Sequence, residues 1–130
     1  MSIKNLIGFV IVLASSTAWA DHHKGVAEAA QSGQVIAIYH WPCADLEMGL
    51  ELLTEMNEYE RSSSPVPYSA VAATHDDGAL ASVDVHVSAA SFTEAAMWQD
   101  SDAEWQRIFA EMVIACGSAE DLSVKLLTIK

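Results

Sequence analysis

SVDVHVSAASFTEAAMWQDSDAEWQRIFAEM, residues 82–112, changes its period in the middle, and that change decides the fold. Over residues 79–87 the chain alternates. Ala81, Val83, Val85 and Val87 make one face of a strand, and Leu80, Ser82, Asp84 and His86 make the other. A period of two lets one face pack on helices while the other meets solvent, a cavity or a partner. Ser91-Phe92-Thr93-Glu94 then has the form of a capping box, in which the serine accepts from a backbone N–H and the glutamate reaches back. It predicts a short helix through Met97 and Trp98. A second box, Ser101-Asp102-Ala103-Glu104, predicts a longer helix on which Trp105, Ile108, Phe109, Met112, Val113 and Cys116 recur at helical spacing. Gly117 ends it.

Working outward, Asp76-Asp77-Gly78 is a hairpin signal, because Gly accepts positive φ and Asp tolerates it. It joins residues 79–87 to a preceding strand over Tyr68–Thr74. Residues 62–67 (SSSPVP) read as a linker. Residues 44–61 read as a helix with Leu46, Leu50, Leu53 and Met56 in an apolar stripe widened by Leu52 and Tyr59. Glu47, Glu51, Glu55 and Glu58 form its solvated side. Gln34–Trp41 (QVIAIYHW) has the β-branched and aromatic content of a strand and is apolar on both faces, as a central strand would be. Leu122–Ile129 supplies the last strand. The order is β-α-β-β-α-β with a split second helix, that of the ferredoxin-like α+β fold: an antiparallel four-stranded sheet with helices on one face. Its other face needs cover, which pairing of two copies into a closed barrel provides.

The N-terminal end carries a different message. Lys4, the apolar run Leu6–Ala14 and Ala18-Trp19-Ala20 have the layout of a cleavable secretory signal over residues 1–20. The run is too short to span a bilayer of about 30 Å. Residues 21–33 read as a flexible lead-in and 34–130 as the folded domain of a secreted or periplasmic protein. With 18 acidic and 6 basic residues the formal charge is −12, and loss of Lys4 makes the mature chain one unit more negative. Such a surface repels nucleic acid and anionic lipid. Cleavage after Ala20 would expose Asp21-His22-His23. An amine, two backbone nitrogens and the imidazole of a third-position His form a square plane suited to Cu(II).

In residues 82–112 the chain resembles the dimeric α+β barrel superfamily, in the region of the antibiotic-biosynthesis-monooxygenase-like proteins. The shared pattern is a strand, a Ser-led short helix, a bend, and a helix carrying aromatic and apolar anchors. The resemblance implies a homodimer. It also implies functions that range from cofactor-free oxygenation to proton transfer and to non-catalytic binding. Many haem- or quinone-active members carry a His on the short helix. This chain has Met97 and Trp98 there and no His, so no haem ligand is carried over and no cofactor is required. The fold is expected to set the start of the first helix, with Cys43, and the end of the second, with Cys116, at opposite ends of the sheet. Either the bend near Asp100 brings Cys116 round, or the cysteines are unpaired, or the topology differs. The exported setting favours a Cys43–Cys116 disulfide.

Chemistry is expected on the polar face of the 79–87 strand. There Asp84 can orient His86 as a general base, holding its tautomer and raising its basicity. His40, Tyr39, Trp41, Tyr68 and Trp98 are candidate cavity-lining residues. The phase of the first strand is open, so either His40 or the Tyr39/Trp41 pair faces that cavity. The sequence contains no phosphate-binding glycine loop, nucleophile elbow or metalloprotease helix. The expected activity is binding of a small apolar or aromatic molecule, followed by proton abstraction or cofactor-free oxygenation. The alternatives are a non-catalytic binding protein with an N-terminal copper(II) site, and an interaction module.

Overall fold

The computed structural model describes residues Gly25–Lys130, so the signal segment and Asp21, His22 and His23 lie outside the described residues. Four strands and three helices follow in the expected order. They are β1 (Val35–Trp41), α1 (Leu46–Ser63), β2 (Tyr68–Thr74), β3 (Leu80–His86), α2 (Ala89–Ser101), α3 (Ala103–Cys116) and β4 (Ser123–Thr128), with a 3₁₀ turn at Ala119–Asp121. The sheet is antiparallel with order β2-β3-β1-β4. No helix among the described residues is long and apolar enough to cross a membrane.

Local chemistry accounts for the boundaries. Asp45 caps α1 by accepting from the Met48 N–H at 3.1 Å, and the helix stops before Ser64 and Pro65. The β2–β3 hairpin closes through His75 N–H to the Ala79 carbonyl and Gly78 at φ +84°, a conformation that favours glycine. The two expected capping boxes are displaced. Ser88, not Ser91, caps α2, accepting from the Ser91 N–H, and Ser91 is buried inside the helix. Asp102, not Ser101, caps α3, accepting from the Trp105 N–H at 2.9 Å. Consequently α2 starts earlier than the expected short helix through Met97 and Trp98 and runs on to Ser101. Asp102 is both its C-cap and the next N-cap, and this is the bend that splits the pair.

All helices lie on one face of the sheet. The core there is built from Trp41 of β1, Leu80 of β3, Leu52, Leu53 and Met56 of α1, and Ile108 and Met112 of α3. Burying side chains of this kind stabilises by about 1.5–3 kcal/mol each before entropy costs. Register fixes which strand residues join them. Ala37 pairs with Asp84, Tyr39 with Ser82 and Trp41 with Leu80, so these six share the helix-facing side. The polar-looking row of β3 is therefore the one under the helices, and the valine row is on the open face. On that open side Ile36, Ile38, Val83 and Val85 are only half covered, and Val71 is exposed. Strand β4 is exposed along its whole length, including Val124, Leu126 and Leu127.

Cys43 and Cys116 form a disulfide across 73 residues. The expectation that they sit at opposite ends of the sheet is corrected by strand direction. Helix α1 starts just after β1 ends, and α3 ends just before β4 starts. Because β1 and β4 are antiparallel, with His40 opposite Ser123, both junctions fall at the same end. No bend is needed to bring Cys116 round. Backbone bonds from Ala44 N–H to the Cys116 carbonyl and from Asp45 N–H to the Ala115 carbonyl fasten the same junction. Gly49 makes room for it, since a Cβ there would stand 2.7 Å from the Cys43 Sγ. Closing a loop of this length removes denatured-state entropy worth about 4 kcal/mol in the chain-entropy account. Replacing both cysteines by serine should therefore lower the unfolding free energy by roughly 2–4 kcal/mol, read from the urea midpoint; an unchanged midpoint would contradict the role given to the bridge.

Candidate ligand cavity

Between the sheet and the helices lies a cavity of about 110 Å³. A single water needs only about 10–15 Å³ on such a scale, so several waters or one compact organic molecule fit. Its apolar wall includes Trp41, Phe109, Met56 and Met112. Phe109 stacks against Trp105 at 5.2 Å between ring centres and packs against Trp41 at 5.7 Å. The polar groups converge from four elements: Tyr39 from β1, Ser82 and Asp84 from β3, Asn57 and Glu60 from α1, and Gln99 from α2.

Asp84 is 5% exposed and points under the helices because it occupies the same strand face as Leu80. Its Oδ1 accepts from the Ser82 hydroxyl at 2.7 Å, whereas Oδ2 accepts no hydrogen bond among the described residues. Burial, with a further contribution from the negative charge of Glu60, pushes its carboxyl up to about 7. Glu60 is also buried, and burial raises its carboxyl too. Donors oppose that rise. The Trp105 indole N–H donates to Glu60 Oε1 at 2.8 Å and the Gln99 amide at 3.1 Å, while the same amide donates to the Tyr68 hydroxyl at 3.0 Å. Burial and the nearby carboxylates hold the Tyr39 and Tyr68 phenols well above their usual range, so both remain neutral.

The expected site residues separate. Tyr39 and Trp41 line the cavity, and His40, pointing the other way on β1, does not. Instead His40 Nε2 lies 2.7 Å from Asp77 Oδ2, with its ring tilted against His75 at 4.6 Å. Trp98 stacks on Tyr59 at 6.1 Å, and neither ring is in the cavity wall. Tyr68 lies outside the cavity wall and joins its polar cluster through the Gln99 amide and through Glu60, whose carboxylate its hydroxyl favours. His86 is 2% exposed, stacked on Tyr68 at 4.6 Å with the Phe92 edge at 5.1 Å. Neither of its ring nitrogens has a partner among the described residues, and burial lowers its pKa so that it stays neutral. The expected Asp84–His86 pair is thus not formed. Ser82 takes the Asp84 carboxylate from one side, and aromatic stacking holds the imidazole on the other. The residue facing the cavity is Asp84.

Glu60, Gln99, Trp105 and Asn57 were not singled out from the sequence as site residues. A signal for two of them was there: Leu53, Met56/Asn57 and Glu60 continue one helical stripe, which sets a carboxylate on the buried side of α1. Among the described residues no group of three or more His, Cys, Asp or Glu side chains is placed to hold a metal ion.

Neither a protein-family model nor a curated protein matches the sequence. Similarity is found among solved structures. A dimeric ferredoxin-like protein of unknown function from Jannaschia sp. CCS1 aligns with a TM-score of 0.57 and 10% identity, over 75% of this chain and 100% of that one. A protein named as a candidate antibiotic biosynthesis monooxygenase from Caulobacter crescentus CB15 gives 0.56 and 10%, over 76% and 92%. A variant of SnoaB, a cofactor-independent oxygenase from Streptomyces nogalater, gives 0.54 and 8%, over 76% and 95%. At this identity the likeness establishes the fold: the chain has the ferredoxin-like α+β architecture of these proteins.

The raised carboxyl of Asp84 has a sign that stability measurements can read. In the unfolded chain an aspartate titrates near 3.9. Between about pH 4 and 7 the folded state therefore holds a proton that the unfolded chain has released, so stability falls across that window and levels off above pH 7. Asp84→Asn should be more stable than the wild type at pH 8, by up to about 4 kcal/mol, and the gain should vanish near pH 4. Denaturation of both proteins across that range checks it. A variant that is less stable at pH 8 would mean that the carboxylate is solvated or paired.

Proposed function

We propose that this protein is an exported small-molecule-binding protein of the dimeric α+β barrel fold, in which Asp84 takes a proton from a compact, mostly apolar or aromatic ligand. The observation that carries the reading is the position of Asp84. It is a nearly fully buried carboxyl on the wall of an aromatic cavity, with one oxygen uncommitted and a pKa of about 7. A general base works best when its pKa lies near the working pH. The acceptor for the substrate proton is then Oδ2, and Ser82 keeps the carboxylate oriented through Oδ1. Tyr39, held neutral, is the nearby donor for a developing oxyanion.

The neighbours named as a monooxygenase and as a cofactor-independent oxygenase support one continuation, transfer of electrons from the deprotonated ligand to molecular oxygen. Such an anion supplies its own electrons, so that route asks for no cofactor. The half-covered apolar row Ile36, Ile38, Val83 and Val85 and the dimeric neighbour support a homodimer closed across the open face. Export is supported by the N-terminal pattern, and by a disulfide that persists best in an oxidising compartment.

The test is an NMR titration with one-ring phenols and quinols, followed by hydrogen–deuterium exchange and oxygen uptake on those that bind. Binding should move the Tyr39 and Trp105 signals. Asp84→Asn should lower exchange or oxygen uptake by about a hundredfold or more, while His86→Ala should leave the chemical step in place. If no ligand moves the cavity signals, or if the Asp84 variant reacts as fast as the wild type, the assignment fails.

A further inference from the structure

The cavity described above has an unusual charge balance. Its titratable wall residues are Tyr39, Glu60 and Asp84, and no Lys, Arg or His lines it among the described residues. The other ionisable groups near these are Tyr68, the neutral His86 stacked on Tyr68, and Arg61, which favours the Glu60 carboxylate but lies exposed outside the wall. Two carboxyl groups, 5% and 7% exposed, thus line one cavity without a cation of the protein's own in its wall. Ser82 donates to Asp84 Oδ1, Trp105 and Gln99 donate to Glu60 Oε1, and the Tyr68 hydroxyl also favours the Glu60 carboxylate. Asp84 lines the cavity, and its Oδ2 has acceptor capacity unused among the described residues.

Trp41, Trp105 and Phe109 line the same cavity, and Trp105 also gives its indole N–H to Glu60. A ring presents negative charge density on its face, so an aromatic wall attracts a cation, most strongly once water has been excluded. Carboxylates and aromatic rings converging without a competing positive side chain form a receptor for a positively charged organic group. The protein's net charge of −12 raises the local concentration of such ligands at the mouth.

We propose that the ligand of this cavity is a small aromatic amine bound as its ammonium ion, with the charged head between Glu60 and Asp84 and the ring against Trp105 and Phe109. The inference rests on the reading of this cavity as a small-molecule site, and it names the class of molecule. It also gives the two acids different tasks. A cation beside Glu60 offsets the charge that raises the Asp84 carboxyl, so arrival of the ligand itself favours the ionised, proton-accepting form of Asp84.

The experiment compares 2-phenylethylamine with its uncharged isostere 2-phenylethanol, titrated into the full secreted protein at pH 8 and followed by calorimetry and by the Trp105 and Tyr39 NMR signals. The amine should bind at least tenfold more tightly than the alcohol. Glu60→Gln and Asp84→Asn, each of which retains an acceptor for the donors already in place, should each remove most of that preference while leaving the alcohol's affinity within about twofold. Lowering the pH to 5, where Asp84 is protonated in the free protein, should weaken the amine alone. Equal binding of amine and alcohol, or a preference that survives both substitutions, overturns the ammonium assignment and leaves the cavity reading standing. Failure of both probes to move the cavity signals overturns the two together.

Discussion

Two carboxyl groups buried under one helical layer set the terms for the rest of this molecule. Taking a carboxylate out of water is expensive, and the cost is tolerated only where donors offset it or the group takes up a proton. Here both offsets operate. Glu60 is held by the Trp105 indole and the Gln99 amide, which ties α1 to α2 and α3. Asp84 has only the Ser82 hydroxyl and carries the larger unrelieved cost, seen in a carboxyl raised to about 7. The helices must therefore be held firmly over the sheet by other means. The apolar contacts of Leu52, Leu53, Met56, Ile108 and Met112 do this along their length, and the Cys43–Cys116 bridge does it at one end. Around the bend Asp102 serves three partners at once: it ends α2, caps α3 through the Trp105 N–H, and accepts from the Tyr59 hydroxyl at 2.8 Å.

Much of this architecture was legible in the sequence. The change from a two-residue to a helical period near Ser88, the Asp-Gly turn and the apolar stripe of residues 44–61 were enough for element order and fold class. Strand pairing followed from that order. Less was legible wherever one pattern serves two masters. The run VIAIYHW is apolar on both faces, because one face meets helices and the other is itself half covered. Hydrophobicity therefore could not say whether Tyr39 or His40 faced the cavity, and only the register Tyr39↔Ser82 decides it. The valine row of β3 misleads for the same reason: it marks the open face, while Asp84 and His86 go under the helices.

Site residues were harder to read than elements because their roles depend on contacts across the chain. Asp84 and His86 share a strand face, as their spacing requires, yet each is captured by a different neighbour, Ser82 for one and Tyr68 with Phe92 for the other. Glu60 was hidden among five acidic residues of one helix. Its distinction is phase, since it alone falls seven residues after Leu53 on the buried stripe. The capping serines show the limit of local motifs. Ser88 and Ser91 both precede plausible turns, and tertiary packing, which buries Ser91, selects the earlier one.

The chemistry of the cavity depends on the protonation of one carboxyl, which can be watched as it titrates. The side-chain carboxyl carbon of Asp84, labelled with carbon-13 and followed by NMR from pH 3 to pH 9, should show its midpoint at about 7, with Ser82→Ala moving it further upward because the donor to the ionised form is lost. A midpoint near 4, the value of a solvated aspartate, would contradict both the burial assigned to Asp84 and its place as the base of the cavity.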